Sequence, residues 1–146
     1  MSLEENKAIV NRFVEEVQNK HNLGAVDELF DRNMVEHFGL PGLSAIEGFK
    51  RFFSGILTAF PDLRVVIHNQ VAEGDKVATH KTFHGTHKGE FMGIPPTGKK
   101  IATDVMDIFR IAGGKIVEHW AVQDRASLME QLGVKSPPGN QPGQQK

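Results

Sequence analysis

Residues 97–133 read TGKKIATDVMDIFRIAGGKIVEHWAVQDRASLMEQLG, and the two apolar runs in this stretch decide the fold. They flank the turn at 112–114, and β-forming runs around a glycine turn are typical of a β-hairpin. If Ile111 pairs with Lys115 across a three-residue loop, Gly114 takes the position that needs a left-handed backbone, which glycine adopts without strain. We therefore predict two adjacent antiparallel strands here.

The same pairing places polar chemistry on one face of the hairpin. Opposed residues share a face of the sheet, and counting outward from the loop sets Asp107 opposite His119. Burial raises the pKa of a carboxyl group and a histidinium beside it lowers that pKa, so such a pair can be suited to proton transfer. We predict Asp107 and His119 as catalytic residues, with a structural pair on a solvated face as the alternative. Their neighbours on this face are apolar and are expected to line a pocket: Val105, Phe109, Val117 and Ala121.

The composition indicates one domain without a strong electrostatic preference. The chain has 146 residues, of which 17 are basic and 18 acidic, so no excess of positive charge points to nucleic acid. It has no cysteine, which excludes disulfides and cysteine-based zinc sites. No apolar run is long enough to cross a bilayer and no signal peptide is visible, so we expect no membrane partner and a cytoplasmic location.

The preceding part of the chain predicts helices first and strands afterwards. Capping-box spacing at Ser2/Glu5 and Ser44/Glu47 marks the starts of two amphipathic helices. The period of apolar residues then changes to two, which predicts a second hairpin. The expected order is helices at 3–20, 25–30 and 46–60, with 33–43 irregular, strands at 63–71 and 76–84, a long connection at 85–99, the hairpin, and a helix at 125–132. We expect one domain over 1–133 and a disordered tail over 134–146, which is rich in Pro, Gly and Gln.

Helices followed by antiparallel strands predict an α+β fold, with the helices covering one face of a curved sheet. If the sheet curls, the covered face forms a cone with a pocket inside. The opposite face is too apolar for open solvent, so we expect a homodimer through it. By parity that face carries Met106, Ile108, Ile116, Trp120 and Val122.

Several further side chains are candidates for the pocket, each with a structural alternative. Glu36 and His37 follow the second helix and could line the pocket or lie on a surface loop. His80 could point inward from its strand, whereas a metal site is not expected because His80 and His84 lie about 13 Å apart along it. Asp124 suits a helix N-cap better than a pocket rim. Two apolar residues of the long connection, Phe91 and Met92, could form a lid or pack ordinarily.

The chain resembles the SnoaL-like polyketide cyclase, or ester cyclase, family of the NTF2-like superfamily. The resemblance covers 4–133 and is carried by GTH at 85–87, GEFMGIPPTG at 89–98, DIFRI at 107–111, GKI at 114–116, EHW at 118–120, Asp124 and QLG at 131–133. It implies a cone-shaped α+β barrel, usually dimeric through the sheet, with a deep apolar pocket. It also implies intramolecular aldol closure of a polyketide ester ring, without a cofactor or a metal.

The resemblance carries over the family's polar residues only in part. His119 matches a histidine on the last strand, but the acid/base aspartate two residues later falls on Ala121. In the family, two pocket positions on the preceding strand hold a glutamine and a histidine. These positions correspond to Val105 and Asp107 in this chain. We therefore expect a cofactor-free enzyme that moves a proton in an apolar carbonyl compound, by cyclisation, isomerisation or dehydration. The alternatives are a non-catalytic small-molecule-binding protein of the same fold and a protein that recruits a partner through its sheet face.

Overall fold

The structure, a computed structural model, describes residues 2–37 and 42–134. Helices pack on one face of a five-stranded, curved and unclosed sheet, so the predicted α+β architecture is confirmed. The elements are α1 (Leu3–Phe13), which continues as a π-helix (Val14–Asn19), a 3-10 turn (Leu23–Ala25), α2 (Val26–Leu29), β1 (Phe30–Glu36), α3 (Ala45–Ala59), β2 (Arg64–Glu73), β3 (Lys76–Thr86), β4 (Lys100–Ala112), β5 (Lys115–Gln123) and α4 (Arg125–Leu132). The predicted tail lies, from residue 135 onward, outside the described residues.

The helix starts follow the capping residues in the sequence. Ser2 Oγ accepts a hydrogen bond from the Glu5 backbone N–H at 3.0 Å, and the Glu5 carboxylate accepts one from the Ser2 N–H at 2.8 Å. Ser44 Oγ accepts from the backbone N–H of Glu47 in the same way at the start of α3. Each cap stabilises its helix by about 1 kcal/mol, because it satisfies a backbone donor that the helix leaves unpaired.

The sheet order is β1-β5-β4-β3-β2, with β1 parallel to β5 and the other pairs antiparallel. An aromatic cluster joins the helices to the sheet. The ring of Phe13 lies 5.6 Å from that of Phe30 and 5.3 Å from that of Phe109, which ties α1 to β1 and β4. Phe49 of α3 lies 5.4 Å from Phe30 and extends the cluster to the third helix.

The hairpin of β4 and β5 forms, but the predicted register was wrong by one residue next to the turn and by two residues further along the strands. Only Gly113 and Gly114 form the turn, both with positive φ, and Ala112 pairs with Lys115. Further along, β5 carries one extra residue, Val117, between the pairs that involve Ile116 and Glu118. The shorter loop and the bulge each shift the pairing by one residue, so together they restore the parity of the face.

The bulge changes where two β5 side chains lie. Ile116 was expected on the outer face, but it pairs with Ile111 and is fully buried in the core. Val117, expected in the pocket, is the half-buried bulge residue. The other expected outer residues do lie outward: Met106, Ile108 and Val122 are exposed, and Trp120 is half-buried against His37.

Strand β1 was not predicted. The sequence predicts a helix at 25–30 and an irregular segment from 33, whereas the helix ends at Leu29 and the chain continues as a strand to Glu36. The segment Asp31-Arg32-Asn33 has low β-propensity and no alternation, so its conformation depends on pairing with a distant strand. That pairing sets Glu36 beside His119.

Candidate active site

Four ionisable side chains meet on the inner face of the sheet, one from each of four strands. Lys81 Nζ lies 2.8 Å from Asp107 Oδ2, and His119 Nε2 lies 3.5 Å from the same oxygen. On its other side, the His119 ring nitrogen Nδ1 lies 2.8 Å from Glu36 Oε1 and 3.0 Å from Oε2. The structure therefore brings Asp107 and His119 together, although Asp107 pairs directly with Ala121 and His119 with Phe109.

The cluster is buried. The side chains of Lys81 and Asp107 are 1% and 3% exposed, and those of His119 and Glu36 are 12% and 5% exposed. Ionised groups removed from water are stable only when charges of opposite sign and hydrogen bonds compensate. With His119 protonated, the four side chains carry two positive and two negative charges, so the cluster is neutral.

The π-helix supplies a fifth member. Gln18 is buried, and its Oε1 accepts a hydrogen bond from Lys81 Nζ at 3.1 Å. Segments of π-helix occur often at functional sites, because widening one turn redirects a side chain. Three aromatic rings also surround the Lys81 ammonium, at 5.6 Å for Phe13 and 5.7 Å for Phe83 and Phe109, distances at which a cation is attracted to a ring.

The charges set the protonation states of the central pair in opposite directions. Burial raises the pKa of Asp107, but the positive charges of Lys81 and His119 outweigh burial and hold that pKa below its ordinary value. Burial lowers the pKa of His119, but the hydrogen bonds and negative charges of Asp107 and Glu36 prevail and raise it. At neutral pH, Asp107 is therefore an ionised carboxylate, and His119 is biased toward the imidazolium.

Two buried atoms of this pair have no hydrogen-bond partner within the described part of the chain: Asp107 Oδ1 and His119 Nε2. Because Nδ1 of His119 donates to Glu36, the second proton of an imidazolium resides on Nε2. The pair therefore offers one acceptor without a partner and one donor whose only neighbouring acceptor in the described residues is Asp107 Oδ2, at 3.5 Å. A carbonyl compound needs both when it loses an α-proton, because the carbon gives up hydrogen while the oxygen gains charge.

A cavity of about 90 Å³ opens beside the cluster between α3 and the sheet. One end is polar, since Gln18, Glu36, Lys81, Asp107 and His119 all reach its wall. The remaining wall is largely apolar and includes Phe49, Phe52, Phe53, Phe60, Phe83 and Phe91. The predicted pocket residues Val105 and Ala121 also lie on this wall. Phe109 instead lies in the core and stacks on His119 with ring centres 4.5 Å apart.

Besides Phe109 and Val117, four further predicted pocket residues lie away from the cavity. His37 is on the outer face, where it contacts Glu118 at 2.6 Å and stacks on Trp120. His80 also faces outward and lies 3.7 Å from Asp104. Side chains alternate between the two faces along β3, and the inward-facing ones are those of Val77, Thr79, Lys81 and Phe83. Met92 is 59% exposed at a turn, whereas its neighbour Phe91 reaches the cavity. Asp124 caps α4 by accepting a hydrogen bond from the Ser127 N–H.

Lys81 and Gln18 were missed by sequence reasoning. A usable signal existed for Lys81, because it alternates with Val77, Thr79 and Phe83, so apolar parity on β3 places it inward. Gln18 gave no comparable signal, because an unbroken α-helix has a different angular spacing from the π-helix that orients it. Lys81 supplies a positive charge that lowers the pKa of Asp107, and Gln18 holds the Lys81 ammonium by a hydrogen bond.

The described ranges 2–37 and 42–134 contain no group of three or more His, Asp or Glu side chains suitable for a metal ion. Within those ranges, the longest helices are also too short or too polar to span a membrane.

The helices, the curved sheet and the polar cluster at one end of an apolar cavity define the chain as a SnoaL/NTF2-like α+β protein. Residues 8–132 match the family model of SnoaL-like polyketide cyclases, so the chain belongs to that family.

Named relatives agree with this assignment. Aklanonic acid methyl ester cyclase DnrD of Streptomyces peucetius is 26% identical over 136 residues, covering 88% of this chain and 91% of that protein. Nogalonic acid methyl ester cyclase of Streptomyces nogalater is 32% identical over 60 residues, a match that spans 41% of this chain and 45% of that one. Among solved structures, AclR of Streptomyces galilaeus, a proposed hydroxylase, superposes with a TM-score of 0.82 and 31% identity over 93% of this chain and 89% of that one.

Proposed function

We propose that this chain binds an apolar carbonyl compound in the cavity and removes a proton next to the carbonyl, without a cofactor, as in an intramolecular aldol ring closure. The observation that carries the proposal concerns two residues at the polar end of the cavity: among the described residues, buried Asp107 Oδ1 has no hydrogen-bond partner, and buried His119 Nε2 has only the 3.5 Å contact with Asp107 Oδ2. The two ester cyclases among the relatives support the same reaction class.

Each side chain has a defined part in the proposed reaction. Asp107 Oδ1 takes the α-proton, and the electron pair of the broken C–H bond forms an enolate. The Nε2–H of His119 donates a hydrogen bond to the enolate oxygen, where charge develops. The enolate carbon then attacks a second carbonyl carbon of the same molecule, and the resulting alkoxide takes the proton back from Asp107. Returning that proton to a different carbon gives isomerisation, and loss of water gives dehydration.

The carboxylate position distinguishes this chain from the cyclases that it resembles. Their acid/base aspartate corresponds to Ala121, and Asp107 is the residue that pairs directly with Ala121 on the next strand. Directly paired residues project from the same face with Cβ atoms about 4.5–5.5 Å apart. We propose that Asp107 supplies from β4 the carboxylate that the relatives supply from β5.

A second candidate, binding without catalysis, is favoured by two observations. Ala121 carries no acid/base group, and Lys81 and His119 hold the pKa of Asp107 low, which makes it a weaker base. In this case the polar cluster would only orient a carbonyl group, and the apolar wall would supply the affinity.

Hydrogen–deuterium exchange separates the two candidates. The probe is 4-phenyl-2-butanone, a methyl ketone with an apolar arm, incubated with the protein in deuterium oxide and followed by NMR. We expect enzyme-dependent exchange of its α-protons, reduced about 10²- to 10⁴-fold in Asp107→Asn, the usual contribution of a general base. The exposed N-cap variant Asp124→Asn is the control. Binding without exchange above the buffer rate would establish the non-catalytic alternative.

A further inference from the structure

We propose that Lys81 is a catalytic residue whose ε-amino group forms a Schiff base with the carbonyl carbon of the bound compound. The inference deepens the proposed function, on which it rests, by adding a covalent intermediate. It begins from the position of Lys81, which is 1% exposed on the wall of an apolar cavity. Lysines that form Schiff bases are typically desolvated in this way.

The surroundings of Lys81 supply the proton transfers that the reaction needs. Asp107 Oδ2, at 2.8 Å from Nζ, is placed to accept a proton and free the amine. His119 Nε2 lies 3.5 Å from that same oxygen and is otherwise without a hydrogen-bond partner in the described residues, so it can donate to the carbonyl oxygen. The alternative is that Lys81 is only a structural counter-ion for Asp107. That role would not require Lys81 to lie on the cavity wall or near the proton donor His119.

The reaction balances with these groups alone. Nζ gives one proton to Asp107 and attacks the carbonyl carbon, while the carbonyl oxygen takes a proton from His119. The nitrogen of the resulting carbinolamine returns a proton to His119, and Asp107 protonates the hydroxyl group as its C–O bond breaks. The net change converts the carbonyl and the lysine ammonium into an iminium ion and one water molecule. Asp107 and His119 end in their initial states.

The site is already built for a cation at this nitrogen. Phe13, Phe83 and Phe109 lie 5.6–5.7 Å from Nζ, and Asp107 supplies the counter-charge. An iminium ion carries the same single positive charge, so forming it adds no unpaired charge to the buried cluster. It also withdraws electrons from the α-carbon, which makes the α-proton removable by a carboxylate whose pKa is held low.

The test is reductive trapping on the unmodified protein. The protein is incubated with 4-phenyl-2-butanone and sodium cyanoborohydride, which reduces an iminium ion to a stable amine. Intact mass and peptide mapping then locate the adduct. We expect one adduct per chain, at Lys81. The matched control lysine is Lys50, which is also paired with an aspartate at 2.8 Å but lies on the surface. Adducts confined to Lys50 and other exposed lysines would overturn the inference.

Variants separate this inference from the proposed function. Lys81→Arg keeps the positive charge but cannot form an imine, and we expect it to lose the adduct and to reduce α-proton exchange at least 100-fold. Lys50→Arg is expected to retain both. Exchange at the wild-type rate in Lys81→Arg would reject the Schiff base and leave the proposed function standing. An adduct at Lys81 without α-proton exchange in the wild type would reject the proposed function and, with it, the catalytic role of Lys81, and would leave only a reactive lysine. If Lys81→Arg does not fold, the wild-type peptide map decides alone.

Discussion

The imidazole of His119 donates from Nδ1 to the carboxylate of Glu36, although 83 positions of sequence separate the two residues. Glu36 ends the edge strand β1, and His119 lies directly beside it on β5. This contact fixes which ring nitrogen carries the first proton, and so it turns Nε2 toward Asp107 Oδ2, 3.5 Å away. The edge strand therefore orients the proposed proton donor.

Glu36→Gln tests that orientation. The amide keeps the shape of the side chain but loses the negative charge, so we expect the pKa of His119 to fall toward or below its ordinary value. We also expect slower α-proton exchange, because less of His119 is then protonated. NMR titration of the His119 ring measures the first effect. The exposed variant Glu28→Gln is the control, and an unchanged His119 titration in Glu36→Gln would contradict the assignment.

The same pKa shifts give stability a defined dependence on pH. The pKa of His119 is raised in the folded state. Its ion pairs therefore contribute fully to stability below pH 6.5, and this contribution is lost as pH rises through the folded-state pKa. The pKa of Asp107 is lowered in the folded state. Its ion pairs therefore contribute to stability above pH 3.8, and this contribution is lost as pH falls through the folded-state pKa. We expect urea unfolding to show both declines, with the acidic one reduced in Asp107→Asn; the part that remains comes from other carboxyl groups whose pKa values are also lowered, such as those of Asp62 and Glu118.

The buried ion pair predicts strong coupling between Lys81 and Asp107. Removing either charge leaves the other buried and uncompensated, so Lys81→Met and Asp107→Leu should each reduce the free energy of unfolding by about 3–5 kcal/mol. The double variant should recover most of that loss, because it buries no unpaired charge. Urea unfolding of the four proteins in a double-mutant cycle measures the coupling. Simple additivity of the two losses would show that the pair does not act as a unit.

The connection that carries Phe91 to the cavity depends on a close backbone contact. The backbone N–H of Gly89 donates to Ala59 O at the end of α3, and a Cβ at Gly89 would lie 2.3 Å from Thr58 O. We expect Gly89→Ala to destabilise the fold by about 1–3 kcal/mol and to weaken binding of the ketone probe, because the connection must move away. Gly55→Ala, on an open surface of α3, should instead stabilise by about 0.5–1 kcal/mol. Thermal unfolding and calorimetric titration measure the two effects.

The outer sheet face predicts association between two copies of the chain. Met106, Ile108 and Val122 are 51%, 39% and 70% exposed on one face, which is unusual for an isolated monomer. We propose a homodimer through this face. Val122→Arg should raise the dimer dissociation constant at least tenfold, as measured by sedimentation and light scattering, while Leu3→Arg at the start of α1 should not. A monomeric wild type at micromolar concentration would reject the proposal.

Sequence patterns determined much of the fold because their signals are local. The capping boxes at Ser2 and Ser44, the period of two in β2 and β3, and the glycine turn before β5 each involve residues close in sequence. Parity also brought Asp107 and His119 to the same face, since two single-residue shifts in register cancelled. The resemblance to the cyclases extended this reasoning to the whole domain.

What only the tertiary structure decided is the charged environment of that pair. Glu36 reaches His119 because β1 joins the far edge of the sheet, and Gln18 reaches Lys81 because the first helix widens into a π-helix. Neither event is encoded by a neighbouring residue, since both depend on contacts between segments distant in sequence. The sequence by itself therefore determined an acid and a base on one face. Folding determined their protonation states, because a pKa depends on burial and on charges that only the assembled sheet brings together.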